Sequence, residues 1–378
     1  MDRTITADLS WIASPAELKE MVVDLSRHTR LAVDTESNSL HAYKERVCLI
    51  QFSTGEKDYL VDPLALKDLS LLGPIFASPQ IEKIFHAAEY DLICLKRDYH
   101  FQFANLFDTM LAGRILGRNE VGLAPMLEAE FGVHLDKRFQ RANWARRPLP
   151  AEWQAYARLD THYLLPLRDR LQAELVARGR WELALEDFAR MCHTDASNGG
   201  HNNGNPCWRI SGSRDLSAQE ASVLSELCAF REEQARLSDV PPFKILSNET
   251  LLSLAVQQPE TFEDLEKMRG LGPWLLKHHG ARILDAIRRG RTSHPIQPPP
   301  PQPKPKEDYL NRLEALRAWR KQTAEEMGVP SDVVLPRDLM EQIAQINPRQ
   351  RDDLEALMRN LPWRMEHFGS AILSVIKR

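Results

Sequence analysis

The sequence predicts a mixed α/β domain followed by two small all-helical modules. Three observations carry that prediction. Across the first half, short apolar runs with strand character alternate with stretches of helical periodicity. Two linker-like stretches then divide the chain, and beyond the first of them the sequence repeats itself.

In the first block, "RLAVDTE", "RVCLIQFS", "DYLVD" and "IEKIFHA" read as strands, being short and rich in β-branched and aromatic residues. "PLALKDLSLLGPIF", "EYDLICLKRDY", "TMLAGRIL" and "PAEWQAYARLDTHYLLPLRDRLQAELVARG" read as helices, with apolar residues three and four apart. Hairpin-like strands followed by strand–helix alternation predict a mixed sheet with helices on its faces. "DASNGGHNNGNP" at 195–206 is Gly/Asn-rich and reads as a flexible linker. "HPIQPPPPQPKPK" at 294–306 reads as an extended, semi-rigid spacer. The expected domains are therefore 1–194, 208–291 and 307–378.

The second and third blocks superimpose at a shift of 89 positions without a gap. Phe230 and Arg231 fall on Trp319 and Arg320, Pro241 on Pro330, and "DLE" at 264–266 on "DLE" at 353–355. Pro273, Trp274, His278 and Gly280 fall on Pro362, Trp363, His367 and Gly369. These are two copies of one module. Leu224, Leu227 and Phe230 keep helical spacing, as do Leu313, Leu316 and Trp319, so each copy is expected to be a compact helical bundle whose tryptophans pack in its core.

At 43% hydrophobic and 27% charged, the 378-residue chain reads as globular. Its start lacks the basic and apolar regions of a signal peptide, and no apolar run approaches the roughly 18 residues that span a bilayer. A membrane association is not expected. The five cysteines (48, 94, 192, 207, 228) form no CxxC pair, which argues against a zinc site and a disulfide framework and for a reducing, cytoplasmic setting. Net charge is −4, but residues 267–291 carry seven basic residues and one acidic. On charge alone a solvated helix face is preferred for that cluster over a phosphate-binding patch.

Four carboxylates stand out. "LAVDTES" ends an apolar strand with Asp34 and Glu36, which share a face because strand side chains alternate. Their repulsion calls for a solvated strand end, a basic partner or a metal ion. Asp91 opens the helix after the strand "IEKIF", where active sites of open α/β sheets gather, although a first-turn Asp also suits a helix dipole. Asp160 lies four residues after Tyr156, so a phenol and a carboxylate project from one helix face, with Arg158 as an alternative partner for the Asp. A cluster of oxygen ligands without His or Cys favours Mg²⁺ or Mn²⁺ over zinc. Such clusters support two-metal hydrolysis of phosphodiesters, with ions about 3.5–4 Å apart.

"VDTE", "FHAAEYDL" and "YARLD" resemble the three exonuclease motifs of the DEDD superfamily. The tyrosine four residues before the last Asp resembles the DEDDy subclass; the histidine of the DEDDh subclass would stand at Ala155. "DKRFQRANWARRPLP", "YARLDTHYLLPL" and the two repeated modules resemble the ribonuclease D family, whose modules are helicase-and-RNase-D C-terminal (HRDC) domains. The resemblance spans nearly the whole chain. It implies a ribonuclease H-like exonuclease fold and 3′→5′ hydrolysis of RNA to nucleoside 5′-monophosphates. It implies that Asp34, Glu36, Asp91 and Asp160 hold two divalent metal ions and that Tyr156 orients the attacking water. Asp108 in "LFDTML" also recurs there, and a helix-capping role is expected for it.

For RNA contacts, "KRFQRANWARRP" offers Lys137, Arg138, Arg141, Arg146 and Arg147 to phosphates and Trp144 or Phe139 to a base, with a buried anchor as the alternative for Trp144. Leu40 is a candidate wedge against the terminal base, or a core residue. "RGLGPWLLKHHGARILDAIRRGR", with Lys277, resembles a phosphate-binding hairpin, whereas the third block lacks the counterparts of Gly270 and Gly272. The expected partner is RNA with a single-stranded 3′ end, such as a tRNA precursor, acted on by a monomer. A DNA exonuclease, or a non-catalytic nucleic-acid-binding protein, are the competing readings.

Overall fold

The computed structural model describes residues 8–195, 206–300 and 305–377. They form two compact units. One takes the described residues of 1–37, 47–196 and 304–378; the other takes those of 38–46 and 197–303.

The first unit is built on a six-stranded mixed sheet: β1 (Asp8–Ile12), β2 (Arg30–Ser37), β3 (Val47–Ser53), β4 (Lys57–Val61), β5 (Glu82–Phe85) and β6 (Leu106–Asp108). Their order is β1-β4-β3-β2-β5-β6. β2, β3 and β4 form an antiparallel meander, while β5 joins β2, and β6 joins β5, in parallel. Helices α1 (Pro15–Leu25), α2 (Gly73–Ala77) and α3 (Glu89–Tyr99) cover one face. On the other lie α4 (Thr109–Ile115), α5 (Leu123–Phe131), α6 (Ala151–His162), α7 (Leu164–Ala177) and α8 (Trp181–Cys192). Alternation along β2 decides the rest. Leu31 and Val33 enter the core under α1 and α3, so Ala32, Asp34 and Glu36 turn towards α6 and α7.

β2 to β5, α3 and α4 lie where the sequence places them; β1, β6, α1, α5 and α8 were not read from it. Two helix expectations need correction. Residues 63–76 form turns, a 3-10 turn at Ser70–Leu72 and only then the short α2. Asp62 and Asp68 draw the local backbone to their own side chains, accepting from Leu64 N at 3.0 Å and Ser70 N at 2.8 Å, and so divert it from a helix. The run 150–179 is two helices meeting at Tyr163, because Pro166 supplies no N–H to continue the ladder.

The repeat is visible helix by helix. The first module has α9 (Ala218–Leu237), α10 (Pro242–Ile245), α11 (Asn248–Gln257), α12 (Phe262–Glu266) and α13 (Pro273–Thr292). The second has α14 (Glu307–Met327), α15 (Ser331–Val334), α16 (Arg337–Ile346), α17 (Arg351–Leu357) and α18 (Pro362–Ile376), each starting 89 residues after its counterpart. Arg231 donates to Leu246 O and Arg320 to Leu335 O, at 3.3 and 3.0 Å. The core expectation for the tryptophans fails for Trp274, which is 65% exposed. Cys207 and Cys228 are joined as a disulfide between the 3-10 turn Pro206–Arg209 and α9, against the expectation from cysteine spacing. Of the linkers, 196–205 and 301–304 lie outside the described residues.

The second module belongs to the sheet-containing unit, held by a buried ion network. Arg364 on α18 is fully buried and donates to Glu186 Oε2 and Asp187 Oδ2 of α8, each at 2.8 Å. It also donates to Val333 O at 2.8 Å. Trp363 N donates to Glu186 Oε1, and Arg114 makes a two-pronged bond to Asp332. Burial outweighs Arg364 and raises the carboxyl pKa values of Glu186 and Asp187. Residues 38–46, between β2 and β3 in sequence, group instead with the first module. There Tyr43 donates from its N–H to Asp239 and from its hydroxyl to Glu232, both at 3.1 Å.

Candidate active site

Three elements converge on one cleft of about 370 Å³. β2 delivers Asp34 and Glu36, and α6, lying across β2, β3 and β4, delivers Tyr156 and Asp160. Asp34, Glu36 and Asp160 each place a carboxylate oxygen within 4.8 Å of the others. Asp91, in the first turn of α3, comes round the end of the sheet and accepts a hydrogen bond from Thr35 Oγ1. Thr35 points to the opposite face of β2 from Asp34, which is how a residue on α3 reaches this strand end. The four predicted carboxylates are thus gathered, Asp91 beside the closest three.

Their electrostatics are dominated by burial and by one another. Burial, then Asp91, Asp160 and Glu36, hold Asp34 well above the usual carboxylate range. Glu36 is raised by burial and by Asp160 and Asp91. Asp160 is pushed to about 7 by burial and Asp91. Burial pushes Asp91 to about 7 as well, against the Thr35 bonds that pull it down. Arg158 pairs with Asp58 rather than Asp160. Clustered carboxylates with raised proton affinity and oxygen donors only are suited to a hard divalent cation. Asp34, Glu36 and Asp160, with Asp91, would hold it.

Tyr156 lines the cleft, with its ring edge-on to Phe139 at 5.8 Å and tilted against Trp144 at 6.0 Å. Burial and then Asp160, Glu36 and Asp34 push the phenol far above its ordinary value, so it keeps its proton and is a poor base. Asp108 caps α4, accepting from Leu111 N at 2.8 Å, and also accepts from Ala88 N at 2.7 Å. That second bond pins the turn at Ala87, whose φ of 62° is the left-handed region, and so fixes the start of α3 and Asp91.

Two cleft features were not read from the sequence. Thr35 is one, hidden because a threonine in a strand is ordinary. His86 is the other: it lines the cleft, and its Nδ1 lies 2.8 Å from Thr109 Oγ1. Thr109 donates to Phe85 O at 3.1 Å, so it accepts from His86, whose Nδ1 therefore carries the proton. Burial lowers the imidazole to about 4, keeping it neutral.

The expected RNA contacts divide. Lys137 lines the cleft, and Arg141 and Lys277 are exposed. Leu40 is 39% exposed in the segment 38–46. Trp144 cannot stack on a base: it is 1% exposed, packed against Trp153 and Tyr156. Nor is Arg147 a phosphate ligand. Its guanidinium is spent on Asp62, at 2.6 and 2.7 Å, and on the carbonyls of Cys48, Trp144 and Arg146. An internal carboxylate and three carbonyls outcompete solvent for those donors. Both residues brace the segment that carries Lys137 and Arg141.

Comparison with known proteins agrees with this geometry. Residues 9–176 match the 3'-5' exonuclease family, and residues 220–287 and 310–376 each match the HRDC domain. Ribonuclease D of Pseudomonas paraeruginosa is 28% identical over 379 residues, 98% of each chain. Protein RRP6-like 3 of Arabidopsis thaliana is 35% identical over 278 residues, 68% of this chain but only 31% of that protein. Among solved structures, Escherichia coli RNase D, an exoribonuclease involved in structured RNA processing, matches with a TM-score of 0.70 and 25% identity over 98% of this chain and 99% of the other. The catalytic core of RRP6 from Trypanosoma brucei matches with a TM-score of 0.65 and 27% identity over 76% and 80%. Sheet, cleft, paired modules and these likenesses together place the chain in the ribonuclease D-type family of 3'-5' exonucleases, with an exonuclease domain followed by two HRDC domains.

Proposed function

We propose that the protein is a metal-dependent 3′→5′ exoribonuclease, with an exonuclease domain at 1–194 and HRDC domains at 208–291 and 307–378. The observation that carries the chemistry is the set of three carboxylates whose oxygens lie within 4.8 Å of one another in an open cleft beside Tyr156. Two divalent ions, Mg²⁺ or Mn²⁺, held by Asp34, Glu36, Asp91 and Asp160, would supply the charge that acidifies water and stabilises the leaving oxygen. The chain's own residues do the rest. Tyr156 donates from its hydroxyl to position the attacking water in line with the terminal phosphodiester. The wall of Phe139, Trp144 and Trp153 keeps that phenol from swinging away. Lys137 and Arg141 neutralise phosphates of the incoming strand, and nucleoside 5′-monophosphates leave one by one; Lys277 and Leu40, in the other unit, are separate candidate RNA contacts.

The likeness to a ribonuclease D over 98% of both chains supports RNA as the substrate. The substrate class is RNA with a single-stranded 3′ tail on a structured body, as in tRNA precursors, handled by a monomer in the cytoplasm. In the described residues no helix is long and apolar enough to cross a membrane.

Incubation with 5′-labelled RNA bearing a single-stranded 3′ tail, with Mg²⁺, Mn²⁺ or EDTA, tests the reading. A metal-dependent ladder shortening from the 3′ end, lost in Asp160→Asn, is expected. Shortening of DNA but not RNA moves the protein to a DNA exonuclease. Tight binding with no product leaves a nucleic-acid-binding protein.

A further inference from the structure

Gln51 is fully buried at the centre of β3, and neither its side-chain nitrogen nor its side-chain oxygen has a hydrogen-bond partner. An amide buried in this way is costly, since each unpaired polar atom forfeits its hydration. Its surroundings narrow what it is for. Ile50 and Phe52 enter the core under α1 and α3, so Leu49, Gln51 and Ser53 face α6. Gln51 stands directly opposite Asp34 in the β2–β3 register and opposite Leu60 in the β3–β4 register. Opposed residues of an antiparallel pair share a face with Cβ atoms about 5 Å apart.

Towards β4 and α6 its polar neighbours Ser53 and Asp58 are already engaged. Ser53 donates to Asp58 and lies 2.7 Å from Thr161 Oγ1; Asp58 also holds Arg158 and His162. Leu49, Leu60 and Ala157 are apolar. The Asp34 carboxylate, directly across the strand pair, can accept from the Gln51 amide.

We propose that Gln51 is the positioning residue for Asp34. With a divalent cation held at the cluster, Gln51 Nε2 would donate to a carboxylate oxygen of Asp34. The bond locks the carboxylate's orientation, as outer partners of metal ligands do. The buried Gln51 amide is thus a free donor directly across the strand pair from that carboxylate. This rests on the metal-dependent reading above.

The proposal makes a crossed prediction for Gln51→Leu, a variant of similar volume without polar atoms. Metal-free Gln51→Leu melts about 2–4 °C higher than wild type, while its Mn²⁺ affinity by calorimetric titration falls about tenfold or more. Gln51→Met, free of branching, repeats the experiment should leucine fit poorly. In an Asp34→Asn background, Gln51→Leu has no further effect on Mn²⁺ affinity. Wild-type affinity in both single variants overturns the proposal. So does a lower metal-free melting temperature in both, which means that the amide is already bonded without metal. Absence of Mn²⁺ binding in wild type itself instead overturns the proposed function.

Discussion

The two helical modules share one backbone plan and differ where their last helix begins. In both, a Pro-Trp pair opens the helix, and a histidine one turn on stacks on the tryptophan while its Nδ1 meets the tryptophan carbonyl, at 2.7 Å in the first and 2.8 Å in the second. In the first module the next residue is Leu275, and the tryptophan is 65% exposed. In the second it is Arg364, fully buried between Glu186 and Asp187 of the exonuclease domain. A repeat thus preserves a fold while one side chain redirects a face. The second copy spends this end on bracing the catalytic domain, and the first keeps Trp274 and, three residues on in the same helix, Lys277 open to solvent.

The largest expected effect falls on the arginine. Arg364→Ala leaves Glu186 and Asp187 buried without a cation, so stability by chemical denaturation drops by about 3–5 kcal/mol. Leu275→Ala, at the matching position, costs less than about 2 kcal/mol. Equal losses would break the comparison. Gly117→Ala comes next. Gly117 has a φ of 77°, and a Cβ there would lie 2.1 Å from the carbonyl oxygen of Gly328 in the second module. Strain and clash together lower stability by about 2 kcal/mol or more, whereas Gly132→Ala, where nothing crowds the Cβ, loses only the left-handed penalty of about 1–2 kcal/mol. Trp274→Ala sharpens the contrast from the other side. Its stability stays within about 0.5 kcal/mol of wild type, while RNA binding by fluorescence anisotropy weakens by about 1–3 kcal/mol if bases stack there.

The smallest effect is a pH dependence confined to the catalytic unit. Asp91 and Asp160, raised to about 7, bind protons in the folded chain that the unfolded chain has released. Their stabilisation is present at low pH and is lost as pH rises through about 7. His86, lowered to about 4, works oppositely below its ordinary value of 6.5. Between pH 6.5 and 8 only the carboxylates remain, so the metal-free protein loses melting temperature over that window, and Mn²⁺ at pH 8 restores it. A metal-free melting temperature that is flat or rising there contradicts the electrostatics described.

The site was legible because its ligands sit at fixed offsets that a strand or helix converts directly into geometry. Asp34 and Glu36 share a strand face, and Tyr156 and Asp160 share a helix face. The 89-residue register likewise exposes the repeat of the helical modules, though not their individual helices. What stayed hidden depended on partners far away in sequence. Trp144 and Arg147 look like nucleic-acid residues until Trp153 and Asp62 claim them. Arg364 looks like a surface cation until α8 meets it. β6 is only three residues long, β1 carries polar Asp8 and Ser10 and no apolar run, and the turn at 63–76 was lost because Asp62 and Asp68 cap the backbone locally in a run whose spacing is helical.

The most direct measurement is a crystal structure of the protein soaked in Mn²⁺, with anomalous scattering collected at the manganese edge. Anomalous peaks among Asp34, Glu36, Asp91 and Asp160, absent from the same crystals of Asp160→Asn, are the predicted result. Peaks elsewhere, or none in a crystal whose cleft is open to solvent, would contradict the claim that this cluster exists to hold metal.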